Sequence, residues 1–346
     1  MTEVARIRQL LGRHWPAHWN GLPPQRLPRW AASTLYETWL VPGDEAAHVL
    51  TLRGHHDDSW AETRYALRRR VLTSCQSRGL PVLPPAPTTE GEPVAWLDGL
   101  AAELTPAVKG AVPNQFAPPQ VDVMITAALD LREGLDELPP DLLRGLAEIP
   151  AASPVRDWRS AVVRARHLLP AAERRPDVWG WTATSVLRGV LAAGPVLATV
   201  AGRRPLDSVV HGAPHDDNVL LSGGREPQVL AILGFDELHA GDRLVDLSVI
   251  ADTAARVRVG ETARRRALAQ FLARALDREL LREGEERFLM PVLLARTVPV
   301  VVELMSRLLR EGVGAPVLAD RLDRLDPMRK VNVHQLLTGA EVQPCC

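Results

Sequence analysis

With 346 residues, 46% of them hydrophobic and 24% charged, the chain is long enough for two compact domains with real cores and lacks the composition of a disordered protein. A formal net charge of −1 gives no overall pull toward nucleic acid or an anionic membrane, so neither is an expected partner. Cys75, Cys345 and Cys346 are too badly spaced for a disulfide framework or a four-ligand zinc site, the opening residues lack a signal-like apolar core, and no apolar run of about 18 residues is seen, so the expected setting is a reducing cytoplasm.

Residues 3–14 place Val4, Ile7, Leu10 and Leu11 at helical spacing, and the Pro- and Trp-rich stretch after them cannot continue as a helix. His14 and His18 are four apart, but Pro16 stands between them and no third metal ligand is evident. Five of the nine tryptophans (Trp15, Trp19, Trp30, Trp39 and Trp60) fall in the first sixty residues. Some must be core, and the others, among Pro and Arg, are candidates for an aromatic groove that takes a peptide or protein.

From Thr34 to Arg53 two alternating runs, LYETWLV and AHVLTLR, flank the turn PGDEA and predict a hairpin. SWAETRYALRRRVLTSCQS then predicts a helix, with Ser59 as cap, Glu62 three residues on, and Leu67, Val71 and Leu72 as its apolar stripe. GLPVLPPAP stops it, and EPVAWLD with LAAELTPAV predicts a second hairpin before Lys109. Helical periodicity dominates the remainder, over 120–137, 155–169, 243–256, 261–282 and 288–311, and Gly194-Pro195 breaks the stretch between 182 and 203. Short strands are expected around 207–210, 218–221 and 228–233. The division that follows is a helix and extension over 1–30, a small β-rich lobe over 31–110 and a larger, mainly helical lobe over 111–340 with a hairpin at 207–236.

That hairpin carries His211-Gly212-Ala213-Pro214-His215-Asp216-Asp217-Asn218, followed by Val219 and Leu220. It resembles the catalytic loop of the aminoglycoside phosphotransferase and choline kinase superfamily, H-G-D-x-H-x-x-N, in four of five fixed positions. Ile232-Leu233-Gly234-Phe235-Asp236-Glu237 resembles the family's metal-binding I-D-F/W-x segment, and Gly241 to Leu247 resembles the G-D-P-x-x-D-L stretch after it. The likeness extends in weaker form over residues 25–310. It implies an α+β, bilobal, protein-kinase-like fold. The chemistry it implies is phosphoryl transfer from ATP and magnesium, which needs a Lys on the phosphates, carboxylates on the metal and an Asp that orients the acceptor hydroxyl.

Three positions depart from that pattern. The loop Asp is Ala213, the metal Asp is Gly234, and the strand cation of V-L-K/R-L is Thr51. Of the usual metal pair Asn218 alone remains, a weak basis for holding a hard dication. Arg53 shares a strand face with Thr51 and is a candidate phosphate contact. Glu62 lies in the helix whose acid would pair with the missing Lys, and equally suits a capping box. Asp216, Asp217, Asp236 and Glu237 stand near the lost carboxylates. Asp236 is the best of them as a metal ligand beside Asn218, and with His211 and Asp216 it is a catalytic candidate. His211 and His215 otherwise hold the loop backbone, while Asp242 and Asp246 read as structural caps.

The resulting expectation is a pseudokinase that binds a small molecule, a peptide or a protein partner in its cleft. The alternative is an atypical phosphotransferase acting on a hydroxyl of a small molecule or peptide, in natural-product tailoring or antibiotic modification, and ATP and magnesium enter only there. A third expectation is a structural subunit whose cleft is filled by side chains.

Overall fold

The computed structural model describes residues 2–27, 36–54, 59–149, 157–203, 205–311 and 322–339. Trp30, Thr34, Cys345 and Cys346 lie outside them.

The first helix, α1 (Glu3–His14), is capped by Thr2, whose hydroxyl accepts from the Ala5 amide at 3.3 Å, and ends before Pro16. A five-stranded antiparallel sheet follows: β1 (Gln25–Arg26), β2 (Tyr36–Val41), β3 (His48–Gly54), β4 (Ala95–Leu97) and β5 (Leu100–Pro106), in the order β1-β2-β3-β5-β4. The two expected hairpins are present, and they fuse because β3 pairs with β5 along its whole length, Leu50 opposite Leu104 and Thr51 opposite Glu103. Alternation then gives the sheet two faces. Leu50, Leu52, Ala102 and Leu104 point to α1 and pack on Ile7, Leu10, Leu11, Trp15 and Trp39. Thr51, Arg53 and Glu103 point the other way, toward the helical part of the chain.

α2 (Ala61–Ser77) covers that second face with Ala61 and Tyr65. Its other side, Leu67, Val71, Leu72 and Cys75, packs on Leu131, Leu135, Leu142 and Phe235, so one helix touches both parts of the fold. The expected Ser59 cap is not the observed one: the helix starts after Trp60 and has no side-chain cap bond, which leaves Glu62 exposed in the first turn.

The helical part comprises α3 (Pro118–Asp136), α4 (Pro140–Glu148), α5 (Trp158–Arg174), α6 (Val178–Ala192), α7 (Gly194–Ala198), α8 (Leu244–Ala254), α9 (Glu261–Asp277), α10 (Glu286–Glu311) and α11 (Pro327–Thr338). α6 stops and α7 starts at the expected Gly194-Pro195 break. By length and composition Glu286–Arg310 could cross a bilayer, contrary to the expectation that no such segment exists. Here it is a core helix: Leu289, Met290 and Leu293 join one apolar cluster and Leu294, Val298, Val301, Val302 and Met305 another.

Between α7 and α8 lie β6 (Ser208–Val210), β7 (Val219–Leu221), β8 (Val229–Ile232) and β9 (His239–Gly241). β7 and β8 form the expected hairpin, while β6 pairs with β9. The chain leaving each part of the first lobe is stitched onto this hairpin, through a parallel bridge of Val82 to Ile232 and an antiparallel bridge of Ala111 to Leu221. Of the early tryptophans among the described residues, Trp15 and Trp39 are core residues, Trp19 is partly buried and Trp60 is exposed.

Candidate functional site

The loop between β6 and β7 is held from beneath by one buried carboxylate. Asp246, in the first turn of α8, accepts from the amides of His211 at 3.0 Å and Gly212 at 2.8 Å and pairs with the buried Arg132 at 2.8 Å. Arg132 also donates to the Val209 carbonyl and to Asp136. Asp242, just before α8, accepts from the Leu244 amide at 3.0 Å and pairs with Arg203. The fully buried His211 ring spans the Leu233 carbonyl at 2.9 Å and the Ala213 amide at 3.1 Å, with its edge against Phe235. Burial lowers its pKa, so the ring is neutral at physiological pH.

Gly212 adopts φ +88°, and a Cβ there would meet the Glu237 backbone and side chain at 2.9 Å. Glu237 pairs with Arg296 of α10. This packing presses the loop against the segment 234–237, so Ala213 and Gly234 are neighbours in space, both against Asn218.

Ala213 offers the loop a carbonyl and no carboxylate; that carbonyl accepts from the Asn218 side-chain amide at 2.8 Å. Gly234 adopts φ +81°, and a Cβ built on it would lie 2.2 Å from Asn218 Nδ2 and 2.6 Å from its Oδ1. The Asn218 amide therefore fills the space that a side chain at 234 would need. Among the described residues no group of three or more His, Cys, Asp or Glu could hold a metal ion.

Asp236 lies elsewhere than at Asn218: it faces the sheet. Arg53 of β3 reaches its Oδ1 at 2.8 Å and its Oδ2 at 3.1 Å, and Arg68 of α2 reaches Oδ1 at 2.6 Å. Both arginines also pair with Glu103 of β5, Arg53 at 3.0 Å. The Tyr65 ring lies under the Arg68 guanidinium, 4.6 Å from its centroid. Thr51 stands on the same sheet face, directly across from Glu103. Arg68 of α2 thus meets the sheet's charges, and the exposed Glu62 is not brought to them. Sequence reading missed Arg68 and Glu103.

The remaining loop acids are also engaged. Asp216 is buried and accepts from Gln115 at 2.6 Å and Arg256 at 2.6 Å. Burial raises its pKa, but Arg256 and the Gln115 bond outweigh that, and the net shift is downward. Asp217 pairs with Arg324. His215 is lowered to about 4 by burial and by Arg324, which makes it neutral too.

The sequence profile of the phosphotransferase enzyme family matches residues 31–287, and the chain belongs to that family. No curated protein matches the sequence. Among solved structures, spectinomycin phosphotransferase in complex with ADP and spectinomycin is similar with 13% identity and a TM-score of 0.65, over 97% of this chain and 98% of that one. Amicoumacin kinase, solved with AMP-PNP and calcium, is similar with 11% identity and a TM-score of 0.63, over 99% and 96%. A microcompartment-associated aminopropanol kinase is similar with 13% identity and a TM-score of 0.59, over 97% and 98%. At such identities the likeness establishes the bilobal kinase-like fold and nothing finer.

Proposed function

We propose that this family member is a pseudokinase that binds a small molecule or peptide in the cleft between its lobes, 31–110 and 111–340, and transfers no phosphate. One observation carries the proposal: the Asn218 amide occupies the space beside Gly234 where a metal-holding carboxylate would stand. A magnesium triphosphate needs carboxylate and phosphate oxygens around the ion, and a single neutral amide already bonded to Ala213 does not supply them. The residues present do not fit that metal. Ala213 can neither orient a hydroxyl nor take its proton. His211 does not replace it, because both ring nitrogens are spent on the backbone.

The rival reading, an atypical phosphotransferase using Asp236 and Asn218 for metal and Arg53 for phosphate, requires Asp236 to leave two arginines that bind it at 2.6 to 3.1 Å. The small-molecule part of the assignment is supported by the neighbours' occupants: spectinomycin in one, nucleotides in two. A cytoplasmic location agrees with the unpaired, buried Cys75.

The test is incubation of the purified chain with γ-labelled ATP, magnesium and a panel of hydroxylated acceptors that includes spectinomycin, aminopropanol and Ser/Thr peptides. The expected result is label on none of them. Label on any acceptor, lost in Asp236→Ala, would establish the rival.

A further inference from the structure

The four groups Arg53, Arg68, Glu103 and Asp236 form one cluster, built from β3, α2, β5 and the segment after β8. Their exposures are unequal, and the order matters. Glu103 is 7% exposed, Arg68 9% and Arg53 14%, while Asp236 is 35% exposed. The carboxylate from the helical lobe is therefore the outermost member, lying over two guanidinium groups that the small lobe supplies. The arginines are fixed without it: Glu103 takes a bond from each, and Tyr65 backs Arg68 through its ring and bonds to Arg53.

Asp236 receives two charge-assisted hydrogen bonds and one further ion-pair contact from two planar forks, an arrangement that suits a tetrahedral oxyanion as well as a carboxylate. With Asp236 in place the cluster is neutral; without it, one net positive charge remains at the mouth of a preformed pair of donors.

Resting on the reading that no metal is held at Gly234, we propose that Arg53 and Arg68 form a metal-independent site for a phosphoryl or pyrophosphoryl group, and that Asp236 is an internal plug which such a group displaces. The arginines replace a cation in charge but not in place, since they come from the sheet side of the cleft. Displacement removes the ion pairs between the segment 234–237 and the small lobe while Phe235 stays packed on α2, so occupancy of this site and the strength of the contact between the lobes are linked.

Calorimetry on the full chain in EDTA tests this, with inorganic pyrophosphate, ADP and AMP as separate probes. Asp236→Ala is expected to bind pyrophosphate at least about tenfold more tightly than the wild type, and Arg53→Gln added to it is expected to abolish the gain. Asp236→Asn keeps the shape of the side chain, is read in its place if Asp236→Ala does not melt cooperatively, and is expected to show a smaller gain in the same direction. A similar gain for ADP identifies the phosphoryl group as the recognised element, whereas a gain for ADP and AMP with none for pyrophosphate overturns the assignment. Equal pyrophosphate affinity in wild type and folded variants overturns the plug but leaves the pseudokinase reading standing. Binding that appears only when magnesium replaces EDTA overturns both.

Discussion

Gly234 shows how one missing side chain reorganises its surroundings. A carboxylate there would push Asn218 away; without it the amide moves in and ties itself to Ala213. Reintroducing the acid is therefore not a simple repair. Gly234→Asp puts an L-residue at φ +81°, costing about 1 kcal/mol, and breaks the Asn218 bond to Ala213, costing about another 1 kcal/mol. Urea denaturation is expected to show a loss of about 2 kcal/mol, and an unchanged midpoint would mean that the pocket beside Asn218 is open. The loop and its departures were legible because the motif residues are contiguous in sequence. Arg68 was not: it sits in Arg68-Arg69-Arg70 and looks like part of a solvated face, yet its partners come from 35 and 168 positions away. A buried ion cluster assembled from four elements leaves no local pattern to read.

At the scale of elements, periodicity found the long helices and both hairpins because each buries a distinct face. It missed β9, whose His-Ala-Gly has no strand preference and pairs only because β6 is beside it. It also treated α1 as an extension, whereas α1 is the outer cover of the sheet: Leu11 and Leu50 are both fully buried in one cluster. Leu11→Ala is expected to cost about 2–4 kcal/mol, as a core truncation does, measured by the denaturation midpoint. A loss under about 0.5 kcal/mol would mark α1 as dispensable, since that is the scale of surface substitutions. Helix α10 makes the complementary point about composition. Its apolar length satisfies a membrane criterion, and its packing in two clusters shows that the same residues serve a core.

In the molecule as a whole, the family scaffold is present from residue 31 to 287 and the lobes meet through α2, two bridges and the Arg53–Arg68–Glu103–Asp236 cluster. The acids that stand near the lost carboxylates are spent within the protein, Asp236 on arginines, Asp216 on Arg256 and Asp217 on Arg324, while Asp246 holds the loop backbone. The proposed pseudokinase requires that none of the described residues of this cleft grip magnesium. Titration of ATP into the wild-type chain, once with magnesium and once with EDTA, tests it most directly. Dissociation constants within about threefold of each other, or no binding in either, are expected; affinity more than about tenfold tighter with magnesium would overturn the pseudokinase reading.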